Sequence, residues 1–353
     1  MTAHTTRSRS AVTSFVVASR YMPVYIALVL LLVVALIWAP SMLSRTSLIG
    51  ITPAATFLAV AALGQMLVIM TGGIDLSVPG TFTLSAAVVI GVGYVGPGAT
   101  DPNAKVAAAV LTAIGVAALI GLVNGILIGV LKLNPLIVTL AVGQIVIGIA
   151  SQYIRGLGSL NAPPPGLSGW LATRHFGLTR VFWIGVLMTL VLVFVFRYTT
   201  LGRRFQAVGA NPTAANVNGL RVNVNQIAAY VFAAVLFAIA GILLAALRGS
   251  PGVGAGAPYL LGPIAAVVIG GASLSGGLAS PVSTWAAAMF LGGLDFLMVT
   301  IGLPSALQYV VFGLVIIGGM LISGDRIIKG VERVLRERRR RPRDGQVVMR
   351  ETG

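Results

Sequence analysis

The sequence predicts an all-α polytopic membrane protein with about ten transmembrane helices, one of them a short broken or re-entrant segment. Two observations carry this. Apolar residues make up 57% of the 353-residue chain and charged residues 9%, with a mean hydropathy of +0.97; one water-soluble core does not hide that much apolar surface. Several apolar runs also reach the roughly 20 residues needed to cross a hydrocarbon layer of about 30 Å.

The first helix is expected over residues 24–39 and is retained, since the run exceeds a usual signal-peptide core and the following PSMLSRTS offers no small-residue cleavage site. Runs at 49–70 and 78–96 are split by TGGIDLSVPG, where two glycines can stop one helix and Pro79 suits the first turn of the next. Segments at 106–131 and 135–154 follow. The sixth, 181–197, comes after an outer loop at 155–180 whose NAPPPGLSGW favours a stiff extended path, with Trp170 suited to an interface. Runs at 227–248, 258–272, 281–300 and 304–322 complete the set. The eighth spans only about 22 Å as a helix, so it is expected to be broken, re-entrant or buried by its neighbours.

Charge sets the orientation. With the N-terminus inside, 18 of the 24 Lys and Arg fall on the inner side, so both termini are expected to be cytoplasmic. The chain then divides into a cytoplasmic N-terminal tail (1–23), a transmembrane domain (24–322) with a long inner loop at 197–226, and a basic cytoplasmic tail (323–353). The net charge of +16 is spread over tails and loops with no basic stripe interleaved with aromatics, which excludes a nucleic-acid reading. RVLRERRRRPRDG fits instead an anchor at anionic membrane lipid.

Catalytic chemistry finds no residues. The chain has no cysteine, and neither His4 nor His175 has a second ligand at useful spacing, so no metal and no cofactor is expected. The phosphate-binding GxxxxGK[ST] loop is absent: GVGAGAP and GGASLSGG lack its lysine. There is no HExxH helix, no nucleophile elbow and no carboxylate pair at catalytic spacing. Asn-Pro occurs twice, but not in the sequence context of paired channel half-helices.

Polar groups inside the apolar runs are the remaining clues: Gln65, Asn124, Gln144, Asp295 and Gln308 are candidates for a translocation pathway. An ionisable group at the centre of a membrane helix costs about 3 kcal/mol, so Asp295 leads the set, either lining a path or reaching interfacial water near its helix end. Gly72, Gly73, Asp75 and Ser77 mark a helix junction. There Asp75 or Ser77 either caps the next helix or takes part in substrate contact or gating. GGASLS at Gly270 and Gly271 repeats the GGxxLS spacing. In ANPTAANVNGL, Asn211 suits a cap, Pro212 a first helical position and Gly219 a stop. That short helix is either an ordered connector or a lever pushed by another protein.

Four segments in order, GGIDLSVPG, LNPLIVTLAVG, TTLGRRFQAVGANPTAANVNGLRV and AAVVIGGASLSGG, resemble the signature segments of ribose-type permeases. These are membrane subunits of bacterial ATP-binding-cassette importers, grouped with branched-chain amino acid permeases. The resemblance implies a multi-pass protein of the bacterial inner membrane, paired with a second permease subunit. It also implies a separate cytoplasmic ATPase and an extracytoplasmic substrate-binding protein that delivers a monosaccharide or related polyol. The helix at 212–218 would be the coupling helix. Asn211, Ala214, Ala215 and Gly219 match the family pattern, whereas Thr213 stands where glutamate is usual. Pro281 and Asp295 also depart from the family's usual continuation. A branched-chain amino acid or nucleoside permease, and an ion-coupled secondary transporter using Asp75 and Asp295, are the alternatives.

Overall fold

The computed structural model describes residues 7–95, 101, 103–158, 162–249 and 252–323. The expected tail from 324 onward, and residue 96 at the end of the third expected segment, lie outside them. The chain runs α1 (Arg7–Trp38), a 3-10 turn (Pro40–Leu43), α2 (Arg45–Met70), α3 (Val78–Gly93), α4 (Val106–Gly129) and α5 (Pro135–Leu157). A short α6 (Pro165–Ala172) and a hairpin of β1 (Arg174–His175) and β2 (Leu178–Thr179) lead into α7 (Arg180–Tyr198). Then come α8 (Thr200–Ala210), α9 (Pro212–Val217), α10 (Val222–Arg248), a 3-10 turn (Ala257–Tyr259), α11 (Gly262–Ile269), α12 (Pro281–Thr300) and α13 (Ser305–Ser323).

Every expected apolar run has helix beneath it. Among the described residues seven helices are long and apolar enough to cross a membrane, while the apolar stretches Val78–Gly93, Ala257–Ile269 and Ser305–Leu321 are shorter. The chain is therefore a multi-pass, helical membrane protein. Its only strands among the described residues are the two-residue pair β1–β2.

The interior is built on α2 and α10, which pack on each other; α10 also contacts α4 and α3, and α2 contacts α12, α11 and α7. Small residues make this possible, because packing between membrane helices depends on close backbone approach. Gly64 of α2 fits against Phe237 and the Ala233 carbonyl, Gly121 and Gly125 of α4 against the α10 backbone at Tyr230 and Ile227, and Gly241 of α10 against the Phe82 carbonyl of α3. Large apolar side chains of α1, α4, α5 and α7, such as Leu36, Leu119, Ile145 and Leu190, are exposed. That pattern fits helices whose outer solvent is hydrocarbon.

Three local differences from the sequence reading have physical causes. The first helix begins at Arg7 and runs through Pro23, so the expected N-terminal tail is helical over most of its length. The 197–226 loop is mostly helix: α8 is amphipathic, with Phe205 and Val208 buried and Arg203 and Arg204 exposed. The eighth segment divides into a 3-10 turn and the eight-residue α11, which stops at Ile269 where the glycines begin.

The links segregate to two ends. Lys132, between α4 and α5, donates from Nζ to Asn223 Oδ1 at 2.6 Å and lines a groove with Pro212, Thr213 and Arg221. At the other end the hairpin turn lies beside Arg45, at the start of α2.

Candidate functional site: two helix breaks behind a capped loop helix

The break after α2 is set by its glycines. Gly72 takes φ +84°, a left-handed conformation natural to glycine, and a side chain at Gly73 would collide with the Tyr230 hydroxyl. Gly72 N–H returns to the Ile69 carbonyl at 2.9 Å and Gly73 N–H to Val68 at 3.0 Å, the paired bonds that satisfy a helix end.

The five residues that follow are buried or partly buried, and side chains from four helices meet several of their polar groups, though the buried Asp75 Oδ2 has no hydrogen-bond partner among the described residues. Leu76 N–H donates to Thr139 Oγ1 of α5 at 2.9 Å, and the Tyr230 hydroxyl of α10 reaches the Ile74 carbonyl at 3.5 Å. With its amide nitrogen turned toward the Asp75 carbonyl, Gln65 of α2 donates at 3.0 Å and accepts the Asp75 N–H at 3.1 Å. Asp75 Oδ1 accepts the Ser77 N–H at 2.8 Å and the Ser77 hydroxyl at 2.6 Å, and Asn124 Nδ2 of α4 donates to that hydroxyl at 2.9 Å. Asp75, Ser77, Gln65 and Asn124 are fully buried. Non-helical backbone at membrane depth persists only where protein or water satisfies it, and here protein does so.

The capping expectation changes in detail. Ser77 stands at the N-cap immediately before α3, and its side chain bonds no N–H of the first turn. Asp75 closes a local turn onto Ser77 instead, so the carboxylate fixes the entry to α3 from outside it. Gln65 and Asn124, read from sequence as pathway residues, are two walls of this junction.

The second break follows α11 and repeats the same hydrogen bonds: Gly271 N–H to Val268 and Ala272 N–H to Val267, with Gly271 at φ +85°. The structural match pairs Gly72 with Gly271 and Gly73 with Ala272, so the GGxxLS echo is one residue out of register. Gly270 packs on the Ser283 backbone of α12, and the Gly271 carbonyl accepts Arg20 Nε of α1 at 2.5 Å. Pro281 then opens α12 at a first-turn position, after Ser280, whose side chain accepts the Ser283 N–H at 3.3 Å.

The loop helix α9 forms as its residues dictate. Asn211 Oδ1 accepts the Ala214 N–H at 3.0 Å, Pro212 opens the helix, and Gly219 ends it at φ +80° with Leu220 N–H returning to Ala215. Ala215 is the one buried residue of α9, while Thr213, Ala214, Asn216 and Val217 are exposed. Immediately before α9, Gly209 of α8 lies on the Met70 carbonyl at the end of α2, which also accepts the Gly277 N–H at 2.8 Å. Gly276 packs on Gly209 in turn. The end of α8 that leads into the loop helix, the end of α2 and the Gly276–Gly277 segment beyond the α11 break thus meet backbone to backbone.

The other sequence candidates do not join this cluster. Gln144 is exposed on α5, Asp295 is exposed near the end of α12, and Gln308 uses Nε2 to bind the Leu303 carbonyl at 2.7 Å. Among the described residues no group of three His, Cys, Asp or Glu could hold a metal ion.

The multi-pass bundle with its two interior helix breaks and exposed loop helix is similar in sequence to membrane transport subunits. The chain belongs to the permease component family of the branched-chain amino acid transport system, whose model matches residues 47–320; it is a transport component and not an enzyme. It is 32% identical over 304 residues to the ribose import permease protein of Escherichia coli K12, covering 85% of this chain and 92% of that one. It is 34% identical over 307 residues to the ribose import permease protein of Bacillus subtilis 168, covering 85% and 91%. The galactofuranose transporter permease protein of E. coli K12 is 32% identical over 324 residues, covering 88% and 92%. No solved structure matches the chain.

Proposed function

We propose that this chain is the membrane permease of an ATP-binding-cassette importer of the bacterial inner membrane, carrying a monosaccharide or related polyol. The similarity to ribose and galactofuranose permeases over more than four fifths of the chain carries the reading. An extracytoplasmic binding protein delivers the sugar, and a separate cytoplasmic ATPase supplies the energy that a chain without a phosphate-binding loop lacks.

The ATPase seats on α9. Val217, 83% exposed on a six-residue helix, is an apolar surface suited to a partner. The neighbouring groove offers Lys132, Thr213, Asn216 and Arg221 as polar contacts. Displacing α9 pushes α8 against the α2 end and the Gly276–Gly277 segment, so both helix breaks respond to one movement.

A second copy of the permease completes the path. Leu274, Leu278 and Val282 are exposed beside the irregular backbone after α11, and such backbone does not face lipid. A facing subunit and the path between them provide the cover. Asp295, exposed in a membrane helix, lines that path, and Gln144 and Gln308 stand outside its narrowest part.

The test is uptake. Expressed with its ATPase and binding protein in cells stripped of their own sugar importers, the chain is expected to accumulate labelled ribose or galactose in an ATP-dependent way. Uptake of leucine in place of sugar, or uptake that persists without the ATPase and collapses with an uncoupler, overturns the proposal.

A further inference from the structure

We propose that the groove between the start of α2 and the β1–β2 hairpin binds an anionic glycerophospholipid, in the leaflet opposite α9. The groove is lined by Leu43, Arg45, Leu48, Phe176, Gly177 and Leu178. Its apolar wall suits an acyl chain, and the Arg45 guanidinium, exposed in the first turn of α2, suits a phosphate.

The hairpin is built to present Phe176. His175 pairs with Leu178, leaving Phe176 and Gly177 as a two-residue turn with φ +52° and +84°. Turns of that kind favour asparagine or glycine at both positions, and a phenylalanine with positive φ is a strained outlier. The strain places its ring 97% exposed. No part of the described protein covers it, and in water such a ring would be costly to hold out.

The ring does not stand in water. Trp183 lies in the first turn of the membrane helix α7, donates from Nε1 to the His175 carbonyl at 3.1 Å, and meets Phe176 edge-on with ring centroids 5.9 Å apart. Phe176 therefore sits at the level where α7 enters the bilayer. Trp170, stacked under Arg180 at 4.9 Å, and the exposed Trp38 at the end of α1 stand at the same end of the bundle. Tryptophans at helix ends occupy the headgroup region.

Charge decides which lipid. Arg174 is exposed on the hairpin, Arg45 lies in the groove, and no Asp or Glu is among the described residues that line it. Arg180 Nε donates to His175 Nε2 at 2.9 Å, so Arg180 orders the hairpin while Arg45 faces the groove. A guanidinium held beside an apolar wall favours a headgroup whose phosphate charge is not already balanced by its own cation.

The test uses the full chain in phosphatidylcholine nanodiscs containing a minor fraction of brominated lipid, with tryptophan emission as readout. Brominated phosphatidylglycerol is expected to quench several-fold more than brominated phosphatidylcholine at the same fraction. Arg45→Gln is expected to erase that preference, Arg45→Lys to keep part of it, and Trp183→Phe to remove most of the selective signal. Equal quenching by the two lipids in the native chain overturns the proposal, as does a preference unchanged in Arg45→Gln. A groove shielded by the binding protein, with no headgroup preference before it is added, would assign the surface to that protein and also overturn it.

Discussion

The Gly277 N–H donates to the Met70 carbonyl at 2.8 Å, so the segment after one helix break holds the last turn before the other. Gly209, at the end of the helix that leads into α9, fills the remaining side of that carbonyl. A transport cycle that moves α9 has no slack here, because the contacts are backbone on backbone.

Gly209→Ala is expected to break this coupling. The added methyl would lie on the Met70 carbonyl and within 2.7 Å of the Gly277 nitrogen, and neither backbone group can swing aside as a side chain would. Overpacking of this kind costs about 1–3 kcal/mol. The variant should still reach the membrane and bind the ATPase while losing most of its uptake. Uptake and ATPase pull-down on the same preparation separate the two effects.

Asp75→Asn and Asp75→Ala are expected to differ. Asp75 Oδ1 accepts two bonds from Ser77, and an asparagine oxygen can accept both. Alanine leaves the buried Ser77 N–H unmet, at a cost of about 1–3 kcal/mol. Asparagine should therefore melt near the native temperature and transport normally, and alanine should melt lower. An asparagine variant that assembles yet fails to transport would show that the charge itself acts.

Gln65→Leu removes a clamp that side-chain volume does not replace. The amide meets both the N–H and the carbonyl of Asp75 in a buried site, so leucine strands two backbone groups. Each stranded group costs about 1–3 kcal/mol. Thermal unfolding in detergent should show a larger loss for Gln65→Leu than for Gln144→Leu, since Gln144 is exposed on α5.

Much of this fold was legible because lipid demands it. A membrane segment must satisfy its backbone within itself, so each span is a contiguous run that composition reveals. The α9 helix was equally readable, since Asn211, Pro212 and Gly219 each act on their nearest neighbours. The hairpin was not, because a turn through Phe176 carries no asparagine or aspartate signal. Nor was the meeting of Gln65, Asp75 and Asn124: the amide of one helix and that of another converge on the break only through packing, which spacing along the chain does not encode. Residue type identified them as unusual, and the fold supplied their common address.

The cap of α9 offers the cleanest separation of structure from coupling. Asn211 Oδ1 accepts the Ala214 N–H at 3.0 Å, and the residue is exposed, so its replacement disturbs no core. Asn211→Ala should cost about 1 kcal/mol of local helix stability, and Asn211→Asp or Asn211→Ser should restore the cap. Because α9 is only six residues long, that loss is large relative to its own stability. The alanine variant is expected to keep the native melting temperature of the bundle while stimulating its ATPase partner less, and both capping variants to recover stimulation. A bundle that melts lower in Asn211→Ala would instead tie the cap to global folding. Stimulation that fails to return in Asn211→Asp and Asn211→Ser would mean that the asparagine side chain itself, and not the helix it starts, is what the partner recognises.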